Sequence, residues 1–394
     1  MKTALVIGGG FCGCSSAHMI SQLGGWDVTL VEVAPFLGGG NKTRWHGGHP
    51  FTYGPRHFLT TWENVYEYLS TYVPMRRCAE HEFLTYIERD STFYSYPIHR
   101  DEIPKMPDRD QINSELSAIN MGALLNLPRD EMEKLNAGSI TKLNGAVEAK
   151  NFEEYWIRSI GETLYNKFVN SYSKKMWMID DNRQIDEFAW SPKGATIKEG
   201  PRAAWDSSIS AYPVAWNGYD DYFRIATADV NVMLSTKISH YDIPNKTVVL
   251  NGEKKKYDVI VSTISPDILF DYSEGELPYV GRELIPLVLP IEHAFPKNVY
   301  MLYYAGAENY TRLVEYKKFT LHKAPTTLIS VEIPSRKNKL YPLPFESEKA
   351  KAKKYHDMFP DGVFGIGRAG SYLYNVDIDD TIDHSMKVVA ALKS

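Results

Sequence analysis

The sequence predicts an α/β fold: a discontinuous Rossmann-like dinucleotide-binding domain with an inserted helical domain and an antiparallel β-sheet domain. Two patterns carry that expectation. At the N-terminus a short apolar run leads into a glycine loop, a helix and a second apolar run that ends in an acid. Far along the chain two more short apolar runs end in polar or glycine turns, and the periodicity between changes from helical to alternating.

Ala4-Leu5-Val6-Ile7 has the unbroken apolar character of a parallel strand covered on both faces. Gly8-Gly9-Gly10-Phe11-Cys12-Gly13 follows and supplies G-x-G-x-x-G through Gly8, Gly10 and Gly13. A helix reads from Ser15 to about Leu23, and Asp27-Val28-Thr29-Leu30-Val31 forms a second strand that delivers Glu32. Gly8 serves the tight turn, Gly10 lets the backbone approach a pyrophosphate, and Gly13 lets helix and strand touch. The phosphates then meet the N–H groups at the positive end of the helix. Glu32, nineteen residues after Gly13, is placed to accept hydrogen bonds from an adenosine ribose. Phe11 and Cys12 join the expected cofactor-binding set, and Cys12 and Cys14 are small enough to fit beneath a pyrophosphate.

Tyr257 to Thr263 and Val363 to Arg368 repeat the strand-and-turn pattern, and a helix from about Ile378 to Leu392 follows. The nucleotide domain therefore gathers residues 1–75, 230–290 and 355–394. Residues 105–200 form the helical domain, with Phe152, Tyr155, Trp156, Ile160, Leu164 and Phe168 at helical spacing. The stretch Ser191 to Ser210, rich in Pro, Gly, Ser and Lys, reads as a long mobile surface loop. Residues 76–104, 201–229 and 291–354 form the sheet domain, with strands at Val299 to Tyr304 and Thr326 to Val331.

A chain of 394 residues is long for one core, so two or three structural domains are expected. The net charge of −5 gives no electrostatic reason for a nucleic-acid partner. No run approaches the roughly 20 apolar residues of a membrane span. Lys2 to Ile7 runs straight into glycines, as a strand does and a signal peptide does not. Three cysteines, Cys12, Cys14 and Cys78, argue against a disulfide framework and for a reducing cytoplasm. A C-x-C spacing with no second cluster gives no metal site.

Five residues separate Glu32 from Gly38 and Gly39, and this extension resembles the glycine pair of the FAD-dependent oxidase and mutase superfamily. Three longer segments narrow the resemblance. Phe152-Glu153-Glu154 leads through Gly161-Glu162-Thr163-Leu164-Tyr165-Asn166-Lys167-Phe168 to Tyr172-Ser173-Lys174-Lys175-Met176-Trp177. The others are Tyr310-Thr311-Arg312-Leu313-Val314-Glu315-Tyr316-Lys317-Lys318-Phe319 and Gly367-Arg368-Ala369-Gly370-Ser371-Tyr372-Leu373-Tyr374. Together, in order over nearly the whole chain, they resemble the motifs of the UDP-galactopyranose mutase family. That family interconverts the pyranose and furanose forms of a nucleotide-diphosphate sugar and feeds galactofuranose into polysaccharide biosynthesis. N5 of reduced FAD acts as the nucleophile at the anomeric carbon, with no net redox change, so NAD(P)H or another reductant is an implied partner.

Carried onto this chain, the resemblance makes Arg312, Trp177 and Tyr374 catalytic. It places Tyr172, Phe168, Lys193, Arg312 and Tyr374 on the substrate, Tyr172 against the base and Arg312 on the diphosphate. Gly8, Gly10, Phe11, Cys12, Gly13, Glu32, Gly38, Gly39, Arg56, His57, Gly367 and Arg368 are the cofactor residues. The oligomeric state stays open, a homodimer included.

Departures from the family pattern gather on the substrate side. The family's G-P-H-x-F-H-T reads Gly54-Pro55-Arg56-His57-Phe58-Leu59-Thr60, which keeps neither histidine position. Gly40 stands where the family has Asn, and Glu332-Ile333-Pro334 lacks the tyrosine of E-Y-P/S. The mobile-loop arginine has no clean counterpart; Lys193, Lys198 and Arg202 are the candidates. These changes point to a different nucleotide sugar, whether deoxy, amino, carboxylated or on another base. An amine-oxidase-type flavoenzyme and a non-catalytic FAD or sugar-nucleotide binder are the alternatives.

Overall fold

The apolar runs near both ends of the chain meet in one parallel sheet. The computed structural model describes residues 1–125, 149–186, 197–205 and 208–393. In it Lys2–Ile7 (β1) and Trp26–Val31 (β2) pair in parallel along their whole length. The five strands run in the order Asn231–Met233, β2, β1, Val259–Ser262, Val363–Gly365, all parallel. Ala4, Leu5, Val6, Leu30, Ile260 and Val261 are wholly buried, as strands covered on both faces must be. The helix Phe11–Ser21 (α1) packs against the C-terminal helix Ile378–Lys393, where the Ser16 and Ser385 hydroxyls share a hydrogen bond of 2.8 Å.

The second large element is a seven-stranded sheet, in the order Tyr341–Pro342, Tyr279–Leu289, Thr327–Ser335, Arg312–Glu315, Val299–Tyr304, Glu82–Ile87, Thr92–Tyr96. It is mixed, because Val299–Tyr304 and Glu82–Ile87 run parallel. Three boundaries drawn from sequence move. The strand Tyr279–Leu289, assigned to the nucleotide domain through residue 290, pairs along Thr327–Ser335 of the large sheet. The helix Asp220–Ala226, assigned to the sheet domain, packs on α1: Tyr222 stacks on Phe11 at 5.0 Å. Within the expected loop from Ser191 to Ser210, residues 191–196 and 206–207 lie outside the described residues. The remainder is tied down. Lys198 forms an isolated bridge with His99, and Ile209–Pro213 is a strand between Phe58–Thr60 and Met75–Arg77.

Helices cover one side of the large sheet. Asn151 caps Phe152–Ile160, its side-chain oxygen accepting from the Glu154 N–H at 3.0 Å. A π-helical turn over Asn166–Asn170 then inserts one residue and shifts the phase of Ser171–Trp177. Lys167 on that turn is fully buried between Asp90 at 2.5 Å and Asp108 at 2.7 Å, which locks the helices to the sheet's far edge. Among the described residues no helix is long and apolar enough to cross a membrane.

Phe11, expected at the cofactor, is instead a core residue. Its ring is 4% exposed and contacts Tyr219 and Phe223 edge-on as well as Tyr222 face-on. A side chain at this position of the loop points inward because α1 must seal the sheet. Phe11→Ala should therefore cost about 3–5 kcal/mol of stability, read from urea unfolding; an unchanged midpoint with lost cofactor would restore the ligand role.

Candidate functional site

The glycine loop has the shape a pyrophosphate requires. Gly8 has φ +99°, and a Cβ on Gly13 would lie 1.8 Å from the Gly8 carbonyl oxygen, so α1 touches β1 where only glycine fits. A Cβ on Gly10 would meet nothing within 4 Å, and no side chain caps α1 there. The helix thus presents its N–H groups to open space, which suits an anion. Gly38, at φ +98°, donates its N–H to the Gly9 carbonyl at 2.7 Å, which brings the glycine pair against the fingerprint. Gly367 lies on the other side, with its Cβ position 3.0 Å from the Cys12 sulfur. Glu32 at the end of β2 accepts from the Gly9 N–H at 2.6 Å and the Ala34 N–H at 2.7 Å and remains partly exposed.

Burial pushes the Cys12 thiol up to about 12 and the Cys14 thiol higher still, so neither is a reactive thiolate. Among the described residues no cluster of His, Cys, Asp and Glu could hold a metal ion.

A cavity of about 280 Å³ opens between this half and the large sheet. One wall comes from the helices and carries Phe152, Trp156, Phe168, Tyr172, Met176 and Trp177, the last four brought round by the π turn. The floor comes from the sheet, and the loop 55–59 and residues 368–377 close it from the nucleotide half. Of the residues singled out in the sequence, Tyr172, Phe168, Trp177, Tyr374, Arg312, Arg56, His57 and Arg368 line this one space. His57 lies stacked on Phe319 at 5.7 Å. Trp177 packs edge-on to Tyr374 at 4.9 Å. Lys193 lies outside the described residues. Arg202 is bound to Glu102 and Ser95, away from the cavity.

Arginine chemistry dominates one end. Arg312 Nε meets Glu332 Oε2 at 2.6 Å, and Glu332 is 1% exposed with its Oε1 lacking a hydrogen-bond partner among the described residues. Arg368 gives its Nε–H to the Val376 carbonyl at 2.8 Å, lies 3.7 Å from Asp377, and covers the rings of Tyr341 and Tyr374. Arg282 is 5% exposed, donates to the Gly281 carbonyl at 2.7 Å and sits 4.9 Å from the Tyr341 ring centroid. Arg282, Tyr341, Tyr303 and Asp377 are site residues that the motifs miss. Arg282 and Tyr341 lie in strands whose sequences read only as sheet, so topology alone brings them here. Tyr53 reports the link: its hydroxyl donates to the Arg282 carbonyl oxygen, joining the loop before Gly54 to that strand.

Relatives fix the setting. A model of the UDP-galactopyranose mutase family matches residues 167–374, more than half of the chain. The chain belongs to the UDP-galactopyranose mutase family. Membership makes it a nucleotide-sugar mutase of the pyranose/furanose kind and supports isomerase activity. A model of an NAD(P)-binding Rossmann-like domain matches residues 6–72. A probable UDP-galactopyranose mutase of Klebsiella pneumoniae is 24% identical, covering 98% of this chain and 93% of the relative. A dTDP-fucopyranose mutase of Escherichia coli is 23% identical, covering 98% and 97%. A crystal structure of reduced UDP-galactopyranose mutase superposes with a TM-score of 0.79 at 15% identity, covering 100% of this chain and 96% of that one. A putative protoporphyrinogen oxidase from Exiguobacterium gives 0.66 at 12% identity, covering 100% and 98%. At such identities these structures share the fold alone.

Within the cavity Tyr341 stands out electrostatically. Burial alone would push its phenol up, but the charges of Arg56, Arg312, Arg282 and Arg368 outweigh that and hold it below the ordinary tyrosine range. Tyr172 and Tyr374 go the other way under burial, Tyr374 to about 12. The Tyr341 phenol is made more acidic because four cations face it. A 295 nm titration of the ligand-free protein should show one early tyrosine step below pH 10 that Tyr341→Phe removes. An early step that survives the substitution would refute this assignment.

Proposed function

We propose that the chain is a flavin-dependent mutase that interconverts pyranose and furanose forms of a nucleotide-diphosphate sugar, UDP-galactose-like in overall shape. The observation that carries this reading is a cavity that gathers four arginines and an aromatic wall, with Arg56 against Gly40 of the glycine extension and Arg368 next to Gly367. The glycine set Gly8, Gly10, Gly13, Gly38 and Gly39, with Glu32 and Gly367, would hold FAD. Bound and reduced, FAD supplies the N5 nucleophile for the anomeric carbon, and the reaction returns it unchanged in redox state.

The chain's own residues do the rest. Arg312 and Arg282 bind and stabilise the departing diphosphate, where a planar guanidinium can meet two oxygens at once. The Tyr341 and Tyr374 hydroxyls orient the same diphosphate. Tyr172 and Phe168 offer an aromatic face to the base, and Trp177 walls off water beside the sugar. Because the cofactor must be reduced, NAD(P)H or another reductant primes the enzyme, and the cytoplasm supplies it.

Dithionite-reduced holoenzyme should convert a nucleotide sugar to its furanose form, and the oxidised enzyme should not. Arg312→Ala should lower kcat by about 100- to 1000-fold with flavin content retained. Removing one partner of a buried pair also costs about 3–5 kcal/mol, so Arg312→Lys, which keeps the charge but loses the fork, is the companion variant. Substrate-dependent flavin reduction with oxygen uptake would instead identify an oxidase, and a fully active Arg312→Ala enzyme would remove Arg312 from the site.

A further inference from the structure

Two polar atoms in the helical wall of the cavity have no answer within the protein. Trp156 and Ser173 both line the cavity and are each only 3% exposed. Among the described residues neither the Trp156 indole N–H nor the Ser173 hydroxyl has a hydrogen-bond partner. A buried polar group left unpaired gives up its water and gains nothing in return, so native folds keep few of them. Two in one wall of one cavity mark a place where a ligand completes the bonding.

Their position says which part of a ligand that is. Trp156 lies one turn after Phe152 on the helix Phe152–Ile160, and the two rings meet at 6.0 Å. Ser173 follows Tyr172 on Ser171–Trp177. The Tyr172 ring spans the space from this wall to the sheet, where it meets Tyr303 at 5.7 Å, and its phenol feels the charges of Arg312 and Arg282. The wall therefore adjoins the arginine end, and Tyr172 lies between them.

Neither polar atom is open to water, so its partner has to enter among the rings. A diphosphate there would set its charges against carbon, where an unpaired ion is strongly disfavoured. A sugar would bring hydroxyls on every side to a wall that offers two polar atoms. A nucleotide base is flat, has π faces suited to aromatic neighbours, and carries its polar atoms on its edge. An indole N–H can only donate, whereas a serine hydroxyl donates or accepts. The edge must then bring an acceptor, such as a ring carbonyl, to Trp156.

We infer that Trp156 and Ser173 read the nucleotide base, Trp156 by donating to an acceptor on its edge and Ser173 by making a second bond beside it. The inference rests on the mutase reading for the presence of a nucleotide in the cavity. Both residues hold the part of the substrate that does not react, so their loss raises KM and leaves kcat unchanged.

The test is calorimetric binding of uridine 5′-diphosphate, thymidine 5′-diphosphate and the baseless ribose 5-diphosphate to oxidised holoenzyme, wild type, Trp156→Phe and Ser173→Ala. Flavin content reports intact folding. Each substitution should weaken the better nucleoside diphosphate about tenfold and leave ribose 5-diphosphate unchanged. Equal weakening of the baseless probe would mean that the wall is only structural, and no weakening of any probe would take the base elsewhere; either overturns the inference. A variant that alone shows no base-dependent loss removes its residue from the assignment. Furanose formation from a nucleotide sugar by the dithionite-reduced wild type is measured separately. Its absence, with the base-dependent losses intact, sinks the mutase reading and leaves the base site standing. No binding of either nucleoside diphosphate by the wild type sinks both.

Discussion

The constraint around which the cavity is organised is the gathering of four guanidinium groups with, among the described residues, two carboxylates close enough to answer them. Arg312 and Arg368 have Glu332 and Asp377; Arg56 and Arg282 have no carboxylate partner among the described residues. A buried cation without an anion is costly in proportion to its desolvation. The protein meets that cost with neutral partners. Arg282 gives its protons to the Gly281 carbonyl at 2.7 Å and the Met176 carbonyl at 3.4 Å and lies over Tyr341; Arg56 gives its Nε–H to the Tyr53 carbonyl at 3.0 Å. Carbonyl dipoles and aromatic faces hold a cation without cancelling it. The positive potential therefore stays available to a ligand, and Tyr341 registers it as a lowered phenol pKa.

Holding those groups at fixed positions requires the two halves of the molecule to be joined rigidly. The joint has three parts. Tyr53 and Asn338 both bond the Arg282 carbonyl, Asn338 at 2.8 Å, so the strand that carries Arg282 is fixed to the loop that carries Arg56. Tyr219 donates to the Arg56 carbonyl at 2.9 Å from the helix that stacks on α1. Lys167, buried with Asp90 and Asp108, anchors the helical wall to the sheet's far edge. The same core packing that seals the parallel sheet through Phe11 thus also sets where the arginines stand.

How much of this was legible in the sequence depends on the range of the interaction. The glycine loop, β1, α1 and β2 are local, so their spacing alone places Gly8, Gly10 and Gly13 correctly. The aromatic wall was legible through motifs, because Phe168, Tyr172 and Trp177 sit at fixed offsets in one helical stretch. Arg282 and Tyr341 were not, since each becomes a site residue only through strand order, and strand order over 60 residues of separation leaves no trace in periodicity. Phe11 shows the opposite failure: a motif position next to a ligand loop whose side chain is claimed by the core. The strand Tyr279–Leu289 was assigned to the wrong half for a related reason, as an apolar run does not say which sheet will take it.

The two departures at Gly40 and Arg56 are best understood as one change. A Cβ on Gly40 would stand 3.0 Å from the nearer Arg56 nitrogen and 3.5 Å from the guanidinium carbon. An asparagine there would carry its amide into the volume the guanidinium occupies. A side chain at 40 would therefore press on the Arg56 guanidinium, and glycine there leaves it room. The exchange replaces a neutral ring and a neutral amide with one permanent cation, because a guanidinium stays protonated at any pH the protein survives. Together with Leu59 at the second histidine position, it takes the ring from both of those positions and leaves His57 between them as the imidazole that lines the cavity. What this segment presents to the cavity is the fixed charge of Arg56, the imidazole of His57 and the carbon of Pro55 and Leu59, so charge, a ring nitrogen and an apolar surface stand within five residues of one another.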